Sequence, residues 1–573
     1  MLTPVILVVL FSPFLWCRLD IPAVTAAEAL IFLAFFAALF RDIKRGGLSL
    51  RTDILDFSLA IFLLFTSAQI LSGATMYPYA TQWGLIRALS SILLFLLIKN
   101  YLHRDDIYRL IKAAVFAAAI ASVMAIAQKI KDPSAEHYAF FLNRNHFAGY
   151  LELNFGLALG AFLYRLRRFR PGEGPFFLIA AALTGFSIFM TASRAGTAVF
   201  LVSTLFFFAV LGRSKRAYLA LFIAIAIALL ALWVFYEPLA VRFAQIREGI
   251  EIRMKIYASI LRLIRDYPLW GTGFNTFEYA FARYQPSVVF KRLNYGDNDY
   301  LQFISEVGLP VAVVIFAAAL GFFVKSCRII RKTDDRFVRF IGCGALAAVF
   351  AIGLHSLVDF NLRIHSNAIL FFVCAGVLAA VTANRASPPA RCKCVIFYIL
   401  AASLFIILFT VSLLENAAFY LSKRTDFDSA EAAAKISPLN SEYRYLASQR
   451  APDLKTALIY AHEASGLNPL YHKYKHNLAR IYYSLRTYDK AEEYYKKYVE
   501  LDPWNAYSYV NFALYYFNRA AMARGAMESE AFLNKGASLF RKAKSLNPNV
   551  ALSAYKEYIP VYEDVYNVLG GDN

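Results

Sequence analysis

Thirteen apolar runs, each near the ~20 residues that a helix needs to cross the hydrocarbon of a bilayer, constrain this chain more than any other feature. They fall at about 2–17, 23–40, 54–72, 80–98, 107–128, 147–164, 175–191, 196–212, 217–235, 300–324, 339–356, 366–382 and 395–414. In lipid the backbone has to satisfy its own hydrogen bonds, so runs of this kind fold as helices. The expected fold class is all-α: a polytopic membrane helical domain of about 12–13 spans over 1–415, with a large outer loop at 236–300. Composition agrees, since 59% of the 573 residues are hydrophobic and 17% are charged, far from the balance of a soluble protein.

The formal net charge of +20 is of a kind that attracts nucleic acid, but the placement of the cations points elsewhere. They fill alternate gaps between the runs, at 41–51, 99–112, 165–170, 213–216, 325–336 and 385–393. This is the positive-inside pattern of a membrane protein, so no nucleic-acid partner is expected. It sets the N-terminus in the cytoplasm and the tail after the last span outside. The first run lacks a basic n-region and a small-residue exit site, and therefore reads as a retained span rather than a cleaved signal.

That orientation gathers a polar set on the outer side: Asn143-Arg144-Asn145-His146, Ser193-Arg194, the interruption 236–300, and His355 to Asp359. Arg194 stands at the outer edge of a span against the charge bias, where its desolvation calls for an anionic partner. Snorkelling to lipid headgroups or capping a helix end is the alternative. Within the interruption, Arg253 and Lys255 precede Pro268 and Gly271-Thr272-Gly273-Phe274, and Gly296-Asp297-Asn298-Asp299-Tyr300 leads into the next run. Lys255 also fits the solvated face of an amphipathic stretch over 250–264.

Several chemistries are absent. The chain has no Gly-x-x-x-x-Gly-Lys-Ser/Thr loop, no Gly-x-Ser-x-Gly elbow and no His-Glu-x-x-His helix, which argues against a nucleotide-driven pump, a serine hydrolase and a zinc protease. Six cysteines, none of them in the interruption or the tail, imply no disulfide framework, and Cys392 with Cys394 are too few for a metal site. No metal or cofactor is expected. A transfer reaction on the outer face cannot draw on cytoplasmic nucleotides, so its donor has to arrive activated, as a membrane-anchored diphosphate ester does. Departure of a diphosphate needs cations at the leaving oxygens, for which Arg194 and Arg253 are the candidates. The acceptor hydroxyl needs a base, for which Asp297, Asp299 and His355 are candidates. Two bland readings stand beside these roles: Asp297 and Asn298 as an N-cap, and His355 as a structural histidine bonded to Asp359 one turn on.

From about Asp426 the pattern becomes that of a soluble helical repeat, giving a second domain at 426–573. Pro469 and Pro503 are 34 residues apart, and Leu478, Ala479, Tyr482, Ala491 and Tyr495 between them have tetratricopeptide spacing, with Lys475 where that repeat usually carries Trp. A further unit ends at Pro548, with Phe512, Ala513, Tyr516, Phe540 and Ala543 in register if an insertion falls at 519–529. An earlier, degenerate unit ends at Pro469, with Ala457 and Ala464. Such an array is a scaffold for a protein partner.

Asn143-Arg144-Asn145-His146-Phe147-Ala148-Gly149, Thr191 to Gly196, the Arg253 segment running to Gly273, and Asp297 to Gln302 followed by Glu306-Val307-Gly308-Leu309-Pro310 together resemble the O-antigen ligase and O-antigen polymerase family. The resemblance spans roughly 54–380 and rests on the order of the motifs. It implies an inverting, metal-independent glycosyltransferase of the bacterial inner membrane. Such an enzyme moves a glycan from an undecaprenyl diphosphate donor to a glycan, lipid A-core or protein acceptor, in contact with membrane lipids. Arg194 and Arg253 fall where the family binds diphosphate; Lys255, Asn145, His146, Asp299 and His355 fall around them. Where ligases of the family have a His, this chain has Asp297, and the later Gly-x-x-Gly is broken by Val311. Either Asp297 serves as base, or the base lies elsewhere, or the acceptor differs. Two other classes remain open: a transporter or flippase of lipid-linked glycans, and a membrane-anchored assembly scaffold.

Overall fold

The computed structural model describes residues 2–15, 21–44, 48–166, 173–212, 215–244, 246–289, 292–383, 390–392 and 395–550. Arg45, Arg167, Arg168, Arg170, Arg213, Arg385 and Lys393 of the basic gaps, together with Cys17 and Cys394, lie outside the described residues.

The first half of the chain forms α1 (Leu2–Leu15), α2 (Ile21–Lys44), α3 (Ile54–Leu71), α4 (Pro78–Tyr101), α5 (Arg104–Lys131), α6 (Arg144–Arg165), α7 (Glu173–Met190) and α8 (Arg194–Leu211). Next come α9 (Lys215–Ala244), α10 (Ile246–Asp266), the short α11 (Phe277–Ala280), α12 (Asp299–Lys332), α13 (Arg336–His355), α14 (His365–Thr382) and α15 (Val395–Ser422). The tail adds α16 (Phe427–Ile436), α17 (Ser441–Arg450), α18 (Leu454–Leu467), α19 (His472–Ser484), α20 (Tyr488–Leu501), α21 (Ala506–Ala521) and α22 (Ala526–Leu546). The fold is all-α apart from two three-residue strands, β1 (Leu48–Leu50) and β2 (Ala390–Cys392), which pair antiparallel. Among the described residues twelve helices are long and apolar enough to cross a membrane. The first run is the difference: α1 has 14 residues, a rise of only about 21 Å.

Two boundaries move for physical reasons. The run expected to end near 235 continues as helix to Ala244, because Pro238 kinks the helix, at the non-helical Phe235, instead of ending it. At 34 residues α12 is longer than a bilayer core requires, and it is broken at Gly308 (φ 77°) just before Pro310. That left-handed backbone suits glycine, which carries no Cβ. The polar interruption 236–300 is itself largely helical, since α10 occupies the stretch expected to be amphipathic.

The chain divides into two compact units, the first made of Met1–Ala68, Gln82–Ile250 and Gly296–Asn416, the second of Gln69–Thr81, Glu251–Tyr295 and Ala417–Asn573. At the centre of the first stands α6, the least apolar of the twelve candidate spans and the most buried. It can be polar because its neighbours, rather than lipid, solvate it, and they approach closely because it is rich in small residues. A Cβ on Gly160 would lie 2.5 Å from the Phe340 carbonyl, and one on Gly344 of α13 would lie 2.5 Å from the carbonyl of Gly156. Gly344→Leu is therefore expected to destabilise the bundle by about 1–3 kcal/mol, the usual penalty of overpacking. Thermal unfolding in detergent measures this, and an unchanged midpoint would refute the close approach.

In the second unit the repeat positions are filled as the spacing predicts. Leu478, Ala479, Tyr482, Ala491, Tyr495, Phe512 and Tyr516 share one core, and Ala513, Phe540 and Ala543 another. The segment 251–295 belongs to this unit. Its Gly271-Thr272-Gly273 turn lies on 69–81: Met76 N donates to the Thr272 carbonyl at 2.9 Å, and a Cβ on Gly273 (φ 103°) would meet Thr75 Oγ1 at 2.1 Å. Arg292 fastens the segment to the repeats, donating to the Glu278 carbonyl at 2.9 Å and lying over the Tyr471 ring at 4.8 Å. It also meets His472 Nδ1. Burial, with the charge of Arg292 added, pushes His472 down to about 3. Its ring is thus neutral at pH 7, accepting from Arg292 on Nδ1 and turning Nε2–H toward Asp502 at 3.4 Å.

Candidate active site

The Gly308 break cuts off a short half-helix at the start of α12, and Asp299, Gln302, Ser305 and Glu306 form its buried face. Discontinuous helices of this kind place polar groups at depth in membrane proteins without exposing backbone to lipid. The cap of the half-helix is Asn298, whose Oδ1 accepts from Leu301 N at 2.9 Å while its Nδ2 donates to the Leu357 carbonyl at 2.8 Å. Asp297, half-buried and left-handed (φ 49°), precedes the cap, a conformation that Asp tolerates better than most residues. Asp299 Oδ2 accepts from Ser356 Oγ at 2.8 Å and from Leu362 N at 3.0 Å. Arg363 bridges the face, with Nε 3.9 Å from Asp299 Oδ1 and NH2 donating to Glu306 Oε2 at 2.8 Å.

A second network lies between α6, α13 and the segment that follows α13. Asp359 accepts from Asn145 Nδ2 at 2.6 Å and stands 3.4 Å from His146 Nε2. Burial disfavours its ionisation, but the hydrogen bond and charge of His146, with the charge of His355, outweigh that and bring the Asp359 carboxyl to about 2. Asn145 Oδ1 in turn accepts from Ser193 Oγ at 2.8 Å, and that same hydroxyl caps α8 by accepting from Gly196 N at 3.1 Å. Asp359 is thus tied through Asn145 to Ser193, the residue next to Arg194. His355 differs from the structural reading of the sequence. Its chain turns out of helix at Ser356, and its Nδ1 meets Glu152 at 3.0 and 3.1 Å, both side chains being fully buried.

Arg194 NH1 donates to the Arg242 carbonyl at 3.2 Å, and Gly249 leaves room for its guanidinium, since a Cβ there would lie 2.8 Å from NH2. Arg144, Arg194 and Arg242 lie within electrostatic range of one another. Of the residues singled out in the sequence, Asn145, His146, Arg194, Asp297, Asp299 and His355 lie in the first unit. Arg253 and Lys255 lie in the second, on α10, where Lys255 is exposed and paired with Glu251 at 2.8 Å. Sequence reasoning missed Glu152, Arg242 and Arg363. Glu152 carried a usable signal, as a carboxylate inside an apolar run. Among the described residues no group of three or more His, Cys, Asp or Glu is arranged to hold a metal ion.

This arrangement combines clustered guanidinium groups, which suit phosphate oxygens, with carboxylates suited to accept a proton. No curated protein matches the chain. Residues 179–316 match the O-antigen ligase family, over a stretch that includes Arg194, Arg253, Asp297 and Asp299, and residues 472–503 match the tetratricopeptide repeat. This chain of twelve candidate membrane helices among the described residues therefore carries a segment that matches the O-antigen ligase family, followed by a region that matches the tetratricopeptide repeat.

Proposed function

We propose that the protein transfers a glycan from a polyprenyl diphosphate carrier to an acceptor hydroxyl at the outer face of the bacterial cytoplasmic membrane, as an O-antigen ligase or polysaccharide polymerase. The observation that carries this reading is Arg194, which lies in the matched segment beside Arg242, near Arg144, and next to the Ser193–Asn145–Asp359 chain. Arg194 binds the diphosphate, with Arg144 and Arg242 adding positive charge where leaving-group charge develops. Arg253, which lies in the matched segment, is proposed for phosphate binding as well. Asp297 takes the proton of the acceptor hydroxyl as the sugar–phosphate bond breaks, and the proton leaves as the base is regenerated. Attack from the face opposite the diphosphate inverts the anomeric carbon. The basic gaps that follow the second and later runs orient the chain with the repeats outside.

The test is incubation of the purified full-length protein with a polyprenyl-diphosphate glycan and candidate acceptors, with product identified by mass spectrometry. A transferred glycan of inverted linkage, formed equally in EDTA, is expected. Movement of the donor across vesicles without a product would establish a carrier instead. Asp297→Asn is expected to abolish turnover, whereas Asn298→Ala costs about 1 kcal/mol of stability through the lost cap and leaves turnover measurable. Full activity of Asp297→Asn would move the base to another residue.

A further inference from the structure

The repeats contain a cavity of about 640 Å³ in the second unit, formed chiefly on α17, α19 and α21, the first helices of three successive pairs. It falls in the size range of pockets that take small ligands or a short stretch of a polymer. Its polar lining includes Gln449, Asn477, Arg480, Asn511 and Asn518. Asn477 and Asn511 are 34 residues apart, the same interval as Pro469 and Pro503, so the repeat presents an amide at one register position twice. The first of these is fixed in place: Asn477 Nδ2 donates to Ser448 Oγ at 2.8 Å, and its Oδ1 accepts from Gln449 Nε2. Arg480 is exposed at the cavity one helical turn on, and the half-buried Tyr483 ring lies beyond it.

We infer that this cavity binds a stretch of glycan chain. An amide carries two donor hydrogens and an oxygen with two acceptor sites, which matches the paired donor and acceptor of sugar hydroxyls even where one of each is used inside the protein, as in Asn477, and Asn511 spends one donor on Tyr498; Arg480 adds a fork of donors for hydroxyl or carboxylate oxygens. The choice of glycan as occupant rests on the transfer reading above. The cavity would hold substrate or product chain while the first unit handles the reacting end.

The probe is a fluorescent oligosaccharide of a few repeat units, released by mild acid from the surface polysaccharide of the source cells. It is titrated against the full-length protein in detergent, with a digest of periplasmic proteins as competitor. Saturable binding is expected, weakened about tenfold by Arg480→Ala, as loss of one charged hydrogen-bonding group implies, and similarly by Asn511→Ala. Arg480 is exposed, so its replacement leaves the repeat core intact. No binding to the unaltered protein, equal binding by both variants, or displacement by the peptides would each overturn the assignment. Oligosaccharide binding by a protein that forms no product would uphold it while removing the transfer reading.

Discussion

Arg194→Ala is expected to lower glycan transfer by about 100- to 1000-fold, the scale seen when one pre-set donor to developing charge is removed. The protein should remain in the membrane at its usual level. The reason lies in how the side chain is held. Its neighbour Ser193 caps α8 and is bonded through Asn145 to Asp359, and its own NH1 is placed by the Arg242 carbonyl. A guanidinium fixed in this way meets a diphosphate without reorganising, so the lost contact falls on the transition state rather than on membrane insertion. Arg194→Lys keeps the charge and loses the planar fork, and an intermediate rate is expected. Surface glycan made at the normal rate by Arg194→Ala would remove this residue from diphosphate binding.

Removing the partner of Glu152 should have the largest effect on stability. In His355→Ala a carboxyl at the centre of the bundle loses its hydrogen bonds, for an expected loss of about 3 kcal/mol, as when one member of a buried pair is deleted. The double variant Glu152→Leu with His355→Phe is expected to recover much of that loss, because apolar packing of similar volume replaces both buried polar groups. Unfolding in detergent, read for wild type, single and double variants, measures the coupling. A single variant as stable as the wild type would show that the pair is not held as described.

Much of the fold was legible because it is written in local periods. Apolar runs of membrane length became helices, and the 34-residue interval of Pro469 and Pro503 became paired helices with Leu478, Tyr482 and Tyr495 inside. What escaped is non-local. Glu152 lies in an apolar run that its single charge barely perturbs, and its partner is 203 residues away. The apolar run ends near 235, yet the packed helix bends there and goes on past Pro238 to Ala244. The cap falls on Asn298 rather than Asp297, a choice of one residue that sequence left open and backbone geometry decides. The association of 251–295 with the repeats also had no sequence signal. It rests on single residues: Arg292, against His472 and Tyr471, and Tyr279, whose ring meets that of Tyr471 edge to face.

Arg292 has a consequence for regulation. By fastening 251–295 to the first turn of α19 it ties Arg253 and the cavity of the repeats into one compact unit. If occupation of the repeats stiffens or shifts that body, the affinity at Arg253 changes by some factor, and thermodynamic reciprocity requires occupation of Arg253 to change the affinity of the repeats by the same factor. Arg292→Ala would then uncouple two ligands, neither of which it need touch.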